Sequence, residues 1–99
     1  MNYANAKRYW EALGDIDPRQ KAGILGNIYV ESKMNPTAEN ASYKGLTQLG
    51  KKSLGKGIAP RYSWVASNYG SGGDNEMRYV IDYIKGKLVK NSNFGYGSK

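Results

Sequence analysis

Two prolines frame the stretch of this chain that has the least conformational freedom. Pro18 follows Asp17, and Pro36 follows Asn35. Proline suits the first turn of a helix, where its missing N–H loses no hydrogen bond. An aspartate just before it can accept the free N–H groups of that turn. The residue before a proline avoids the α region, so Asn35-Pro36 stops a helix. Together they predict one helix from Pro18 to about Lys33, with Asp17 as N-cap and Gln20 at the capping-box position. Ile24 and Ile28 are four apart, with Leu25 beside them, as on one buried face. Gly23 and Gly26 each cost roughly 1 kcal/mol relative to Ala, and close packing against a neighbouring helix is the expected reason for them.

The rest of the chain is organised around this helix. Tyr3, Ala6, Trp10 and Leu13 recur at three- and four-residue steps, predicting a first helix over 3–13 that Gly14 closes. Residues 35–50 read as turns with a small β-hairpin around Tyr43 to Leu49. Glycines and lysines over 50–57 predict a mobile, solvated loop. Pro60 opens a short helix whose apolar side is Tyr62, Val65, Ala66 and Tyr69. After a flexible Gly70–Gly73 connection, Asp74 is the expected N-cap of a third long helix reaching about Lys87. Its stripe is Met77, Val80, Ile81, Ile84 and Leu88. The Gly-, Ser- and Asn-rich tail from Asn91 is expected to be loose. The class is mainly α, an α+β arrangement in which a small helical domain carries a short irregular or β-hairpin insert after the second helix. With 99 residues, a single domain over 1–99 is expected.

Composition narrows the chemistry. Fifteen Lys and Arg against eight Asp and Glu give a net charge of +7. Hydrophobic residues make up 39% and the mean hydropathy is −0.70, a lean supply for a domain that buries little more than ~60% of its unfolded surface. No window approaches the ~18 apolar residues of a membrane-spanning helix, and no basic start followed by an apolar run marks a signal peptide. There is no Cys and no His, which removes thiolate nucleophiles, disulfides, the usual zinc ligands and the usual neutral-pH base. No metal or other cofactor is expected, and acid–base chemistry falls to carboxylates, Lys or Tyr. Nine Tyr and two Trp beside the positive charge suit an anionic, ring-containing partner: nucleic acid, or bacterial cell wall.

Glu31 is the candidate acid. It lies three residues after Ile28 and seven after Ile24, on the same helical face. Alignment with buried aliphatics predicts partial desolvation, which raises a carboxyl pKa, and the negative end of the helix dipole acts in the same direction. A carboxylic acid that holds its proton near neutral pH is what a glycosidase needs to protonate a leaving oxygen. The bland alternative is an ordinary helix-end glutamate paired with a lysine.

Residues 31–49 read Glu-Ser-Lys-Met-Asn-Pro-Thr-Ala-Glu-Asn-Ala-Ser-Tyr-Lys-Gly-Leu-Thr-Gln-Leu. This resembles the active-site region of lysozyme-like glycosidases, especially lytic transglycosylases and goose-type lysozymes. In those a helix ends in Glu-Ser, an Asn-Pro or similar pair follows, and a Gly-Leu-x-Gln segment lies opposite. The preceding Ala22-Gly23-Ile24-Leu25-Gly26-Asn27-Ile28 is similar to the phage tail lysozyme branch. The resemblance covers roughly residues 18–88, and residues 22–49 carry nearly all its specificity. It implies a lysozyme-like fold with Glu31 as catalytic acid, Ser32 fixing the helix end, Gly45 allowing close approach, and Gln48 bonding the sugar or the surroundings of Glu31. Ser42, Tyr43 and Trp64 are further substrate-binding candidates. The implied activity is cleavage of peptidoglycan between N-acetylmuramic acid and N-acetylglucosamine, by a muramidase or a lytic transglycosylase. A phage tail, virion-associated setting is implied by resemblance alone. Two departures are visible. Thr47 stands where an apolar residue is frequent, and the chain lacks helix that the branch carries after the segment matching residues 75–89. Part of the cleft wall is then missing or supplied by another subunit, in a phage tail or oligomeric assembly.

Glu39 is the candidate second carboxylate, because the other acidic residues fall on the first helix, the first connection or the third helix. A solvated loop position is its bland reading. Lytic transglycosylases act with a single Glu, the substrate's own groups serving as nucleophile. Tyr62 lies on the apolar side of its helix and Trp64 off it, while Tyr9, Trp10, Tyr79 and Tyr83 are expected in the core or on its flank. Lys51, Lys52 and Lys56 form a cluster that could attract anionic wall polymers, an attraction that salt screens. Two other functions fit parts of the sequence: a non-catalytic wall-binding or phage structural module of the same fold, and a small basic nucleic-acid-binding protein. No recognition motif supports the last.

Overall fold

The computed structural model describes the backbone of residues 3–52, 59–91 and 95–98, with side chains through residue 88. In chain order the elements are α1 (Tyr3–Ala12), α2 (Pro18–Ser32), β1 (Tyr43–Lys44), β2 (Leu49–Gly50), α3 (Tyr62–Tyr69), α4 (Gly73–Ile84), β3 (Leu88–Asn91) and β4 (Gly95–Ser98). The protein is mainly α, and the described residues include two small antiparallel pairs, β1–β2 and β3–β4. The loop expected over 50–57 falls largely outside the described residues, as do Lys56 and Phe94.

α2 begins as its sequence dictates. Asp17 Oδ1 accepts from the Arg19 N–H at 2.9 Å and the Gln20 N–H at 3.4 Å, with Pro18 in the first turn. It ends at Ser32 because Lys33 and Met34 are both left-handed, at φ 53° and 66°. That conformation is costly for non-glycine residues. Here it drives Met34 into the core at 2% exposure, and Asn5 Nδ2 donates to the Met34 carbonyl at 3.0 Å.

α1 turns part of its expected stripe inward and part outward. Tyr9 and Leu13 are buried with Ala6 packed beside them, whereas Tyr3 is 79% exposed and Trp10 lies at the surface. The reason is Lys21, which is itself buried. Its Nζ donates to the Gly14 carbonyl at 3.0 Å and sits 4.2 Å from the centroid of the Trp10 ring. Trp10 therefore covers a lysine, a cation–π arrangement, rather than entering the apolar centre.

Gly23 and Gly26 are not packing contacts. Both are exposed, and a Cβ added at either would meet nothing within 4 Å. With no close approach to protect, alanine removes only the entropic penalty of a helical glycine. We expect Gly23→Ala and Gly26→Ala each to stabilise the protein by about 1 kcal/mol, near 4–8 °C in Tm for a domain of this size, measured by thermal unfolding.

α3 starts at Tyr62, two residues after Pro60, and α4 starts at Gly73 with Gly72 in the cap position. Asp74 is thus not the N-cap. It forms a two-pronged ion pair with Arg8 of α1, the Nε–Oδ1 distance being 2.7 Å. The Tyr69 hydroxyl of α3 donates to Asp82 of α4 at 2.9 Å, and burial together with that carboxylate pushes its pKa up to about 12. α4 stops at Ile84, earlier than its apolar stripe suggests. Gly86 turns the chain at φ +69°, and Leu88 opens β3 instead of closing the helix. Of the tail expected to be loose, Asn91 and Gly95–Ser98 lie in an antiparallel ribbon, which pairs Leu88 with Ser98 through Asn91 with Gly95. The expected hairpin after α2 is present, with Tyr43 opposite Gly50 and Lys44 opposite Leu49.

The core has two parts. Tyr9, Leu13, Ile28, Met34, Leu46 and Met77 fill the junction of α1, α2 and α4. Leu49, Val65, Tyr79 and Val80 fill the junction of α3, α4 and β2. Ile24 packs against both. Full burial of side chains such as Ile28, Leu46 and Met77 stabilises the fold by about 1.5–3 kcal/mol each.

Candidate functional site

α2, the β1–β2 segment and α4 enclose a cleft of about 540 Å³, within the range of small-ligand sites. Its polar lining residues are Asn27 and Glu31 of α2 with Asn40, Tyr43, Thr47 and Gln48. Its apolar lining residues are Ile24, Ile28, Leu49, Ala59, Val80 and Ile84, with Tyr79 and Tyr83. Asn27 and Glu31 are four residues apart, so one helical face presents both.

Glu31 is one of eight acidic residues, all of them described, and it is the only one that lines the cleft. It is exposed, so the desolvation expected from its alignment with Ile24 and Ile28 is not present. The helix face is continuous, but Glu31 lies on the last turn, beyond the point where the core covers it.

The Gly45–Gln48 segment is held from behind by a second glutamate that sequence reasoning left aside. Glu76 of α4 is 2% exposed. Its Oε1 accepts from the Leu46 N–H at 2.8 Å, and its Oε2 accepts from the Thr47 N–H at 2.8 Å and the Thr47 hydroxyl at 2.7 Å. Gly45, at φ +92°, gives this carboxyl its space: a Cβ there would overlap Glu76 Oε1. Burial pushes the Glu76 pKa up, while the hydrogen bonds from Thr47 and Leu46 pull the other way. Thr47, where an apolar residue would be ordinary, is thus the hydroxyl that completes the tie. A signal existed in the sequence: Glu76 is four before Val80 and beside Met77, inside the apolar stripe of α4.

Of the candidates named from sequence, Glu31, Tyr43 and Gln48 line the cleft and the others do not. Ser32 is buried, its hydroxyl donating to the Ile28 carbonyl at 3.0 Å, which is a helix-end role rather than a ligand contact. Gly45 backs onto Glu76. Ser42 is exposed, and its N–H donates to Asn40 Oδ1 at 2.8 Å. Trp64 lines a separate depression with Arg61, Ser63 and Ser67 and is tilted against Tyr69, with centroids 6.3 Å apart. Glu39 stands outside the cleft lining, paired with Lys51 and, at 3.8 Å, with Lys44; the Lys51 contact holds its carboxyl below the usual range. Asn27, Asn40, Thr47, Tyr79 and Tyr83 are lining residues that the sequence reading did not select. Tyr79 and Tyr83 repeat at the four-residue step of α4, which is also the signature of a plain core stripe.

Among the described residues no group of His, Cys, Asp and Glu could hold a metal ion, and no helix is long and apolar enough to cross a membrane. Compared with known proteins, the chain matches no protein-family model, no curated protein and no solved structure.

Proposed function

We propose that this protein is a lysozyme-like glycosidase of bacterial peptidoglycan, cleaving between N-acetylmuramic acid and N-acetylglucosamine with Glu31 as general acid. The observation that carries the reading is the position of Glu31: the single carboxylate lining a cleft otherwise furnished with amides, hydroxyls and aliphatics. Such a lining suits a neutral, hydroxyl- and amide-rich ligand with apolar ring faces. The resemblance of residues 22–49 to lytic transglycosylases and phage tail lysozymes supplies the bond and the substrate.

In the mechanism, substrate fills the cleft and displaces water from around Glu31. The Glu31 carboxyl donates its proton to the glycosidic oxygen as the bond from that oxygen to the anomeric carbon breaks. A hydrolase of the two-carboxylate type needs a second carboxylate about 5–9.5 Å away, and no other acidic residue lines this cleft. That favours a nucleophile from the substrate itself, a hydroxyl of the same sugar closing on the anomeric carbon and returning its proton to the Glu31 carboxylate. The product of that route is an anhydro end, so the lytic transglycosylase reading is the one we adopt. Clearing of purified cell-wall suspensions by the protein tests the function, and walls that stay turbid and release no soluble fragments would sink it.

The exposure of Glu31 favours a second reading, a wall-binding module of the same fold without catalysis. Sedimentation of the protein with walls that release no soluble fragments distinguishes the two.

A further inference from the structure

We propose that Asn40 is a ligand-binding residue, and that with Gln48 it recognises a single neutral hydroxyl group that must both accept and donate a hydrogen bond. The inference rests on the reading of the cleft as a glycan site and assigns a specificity contact within it.

Asn40 is held on every side but one. Its N–H donates to the Tyr43 carbonyl at 3.0 Å. Its carbonyl accepts from Lys51 Nζ at 3.0 Å. Its Oδ1 accepts from the Ser42 and Tyr43 N–H groups at 2.8 and 2.9 Å. These contacts fix which end of the side-chain amide is oxygen and turn Nδ2 outward as a donor. Lys51 is anchored in turn by Glu39, so the candidate second carboxylate serves here as a support for Asn40.

Gln48 is fixed in the opposite sense. Its Nε2 donates to the Ala38 carbonyl at 3.0 Å and the Gly45 carbonyl at 2.9 Å. An amide nitrogen has two hydrogens, and both are used, so Oε1 is the atom Gln48 offers to a ligand. Oε1 lies 3.5 Å from Asn40 Nδ2, at the outer limit of a hydrogen bond. Both residues line the cleft. The result is one fixed donor beside one fixed acceptor, joined only by a long hydrogen bond that leaves capacity on both. A hydroxyl oxygen placed against the pair accepts from Nδ2 and sends its own proton to Oε1. An ether oxygen can only accept, and a carboxylate or phosphate oxygen is repelled by Oε1.

The substitution that separates binding from folding is Asn40→Asp. A carboxylate at this position still accepts from Ser42 and Tyr43, so the turn is kept, but the outward donor becomes an acceptor. One hydroxyl proton cannot serve two acceptors. The experiment titrates soluble glycan strands of alternating N-acetylglucosamine and N-acetylmuramic acid, freed of peptides, into Glu31→Gln protein so that no turnover intervenes. We expect Asn40→Asp in that background to weaken binding at least fivefold. As a second measurement independent of the substitution, we expect the Asn40 side-chain NH2 resonances of the Glu31→Gln protein to shift on titration. Unchanged affinity with Asn40→Asp, or Asn40 resonances that stay in place while the strands bind, would overturn the proposal and leave the glycan reading standing. Failure of Glu31→Gln and wild type alike to bind the strands would bring down both.

Discussion

Replacing Glu76 with alanine should remove a large part of this protein's stability. The buried carboxyl satisfies two backbone N–H groups and one hydroxyl. Removing it strands the Leu46 and Thr47 donors in the interior, where an unpaired donor costs about 1–3 kcal/mol, and it empties the volume the side chain filled. The expected loss is on the order of 3–5 kcal/mol, against a total stability of about 5–15 kcal/mol for a domain of this kind. At 4–8 °C per kcal/mol, thermal unfolding should report a fall of 12 °C or more. Glu76→Gln keeps the volume but turns an amide nitrogen toward donors, so it should lie between the two. The direction of the Glu76 pKa adds a pH signature. Because burial raises it, the folded chain keeps a proton that the unfolded chain releases as pH rises above the ordinary carboxylate range. Stability then falls with rising pH across that window. The advantage of wild type over Glu76→Gln should therefore shrink from mildly acidic to neutral pH. A gap that widens instead would mean that the hydrogen bonds outweigh the burial.

The second large effect is expected at Glu31. If it delivers the proton to the leaving oxygen, Glu31→Gln should lower the rate of fragment release from cell walls by about 10²–10⁴-fold, the usual worth of a positioned general acid. Stability should barely change, because Glu31 is exposed and surface substitutions usually stay within about 0.5 kcal/mol. The pairing of a large kinetic effect with an unchanged melting temperature is the mark of a residue that acts on substrate. Glu76 predicts the reverse pattern, stability lost first and activity with it.

How far the sequence carried this account can be read from particular residues. The start of α2 was legible because Asp17 and Pro18 act locally, through backbone N–H groups one and two residues beyond the proline and through a fixed φ. The hairpin at Tyr43–Gly50 was legible through its turn residues. The inward face of α1 was legible only in part. Tyr3, Ala6, Trp10 and Leu13 make a good helical stripe, but an indole can cover a lysine stem as readily as it can enter a core. The choice of Tyr9 depended on α4 and Met34, which are distant in sequence. Gly23 and Gly26 carry no local sign of whether a neighbour approaches. The β3–β4 ribbon pairs Leu88–Asn91, whose first residue continues the apolar stripe of α4, with the Gly- and Ser-rich Gly95–Ser98, which has little of the side-chain alternation by which strands are recognised. In the site, Glu31 and Gln48 follow from the motif, whereas Tyr43 and Trp64 are both aromatics in or next to segments expected to flank Glu31, and only Tyr43 lines the cleft. Glu76 falls outside the middle segment in which a second carboxylate is sought, since it lies on the third long helix. Its place in the apolar stripe of α4 hints at burial, but the room that Gly45 leaves for its carboxyl depends on a segment some thirty residues away.

The most direct measurement is mass spectrometry of peptidoglycan digested with wild type and with Glu31→Gln. The account predicts soluble muropeptides from wild type, cut between N-acetylmuramic acid and N-acetylglucosamine and carrying anhydro ends, and their near absence with Glu31→Gln. Equal yields from the two proteins would contradict the assignment of Glu31, and glycan strands left whole by wild type would contradict the account itself.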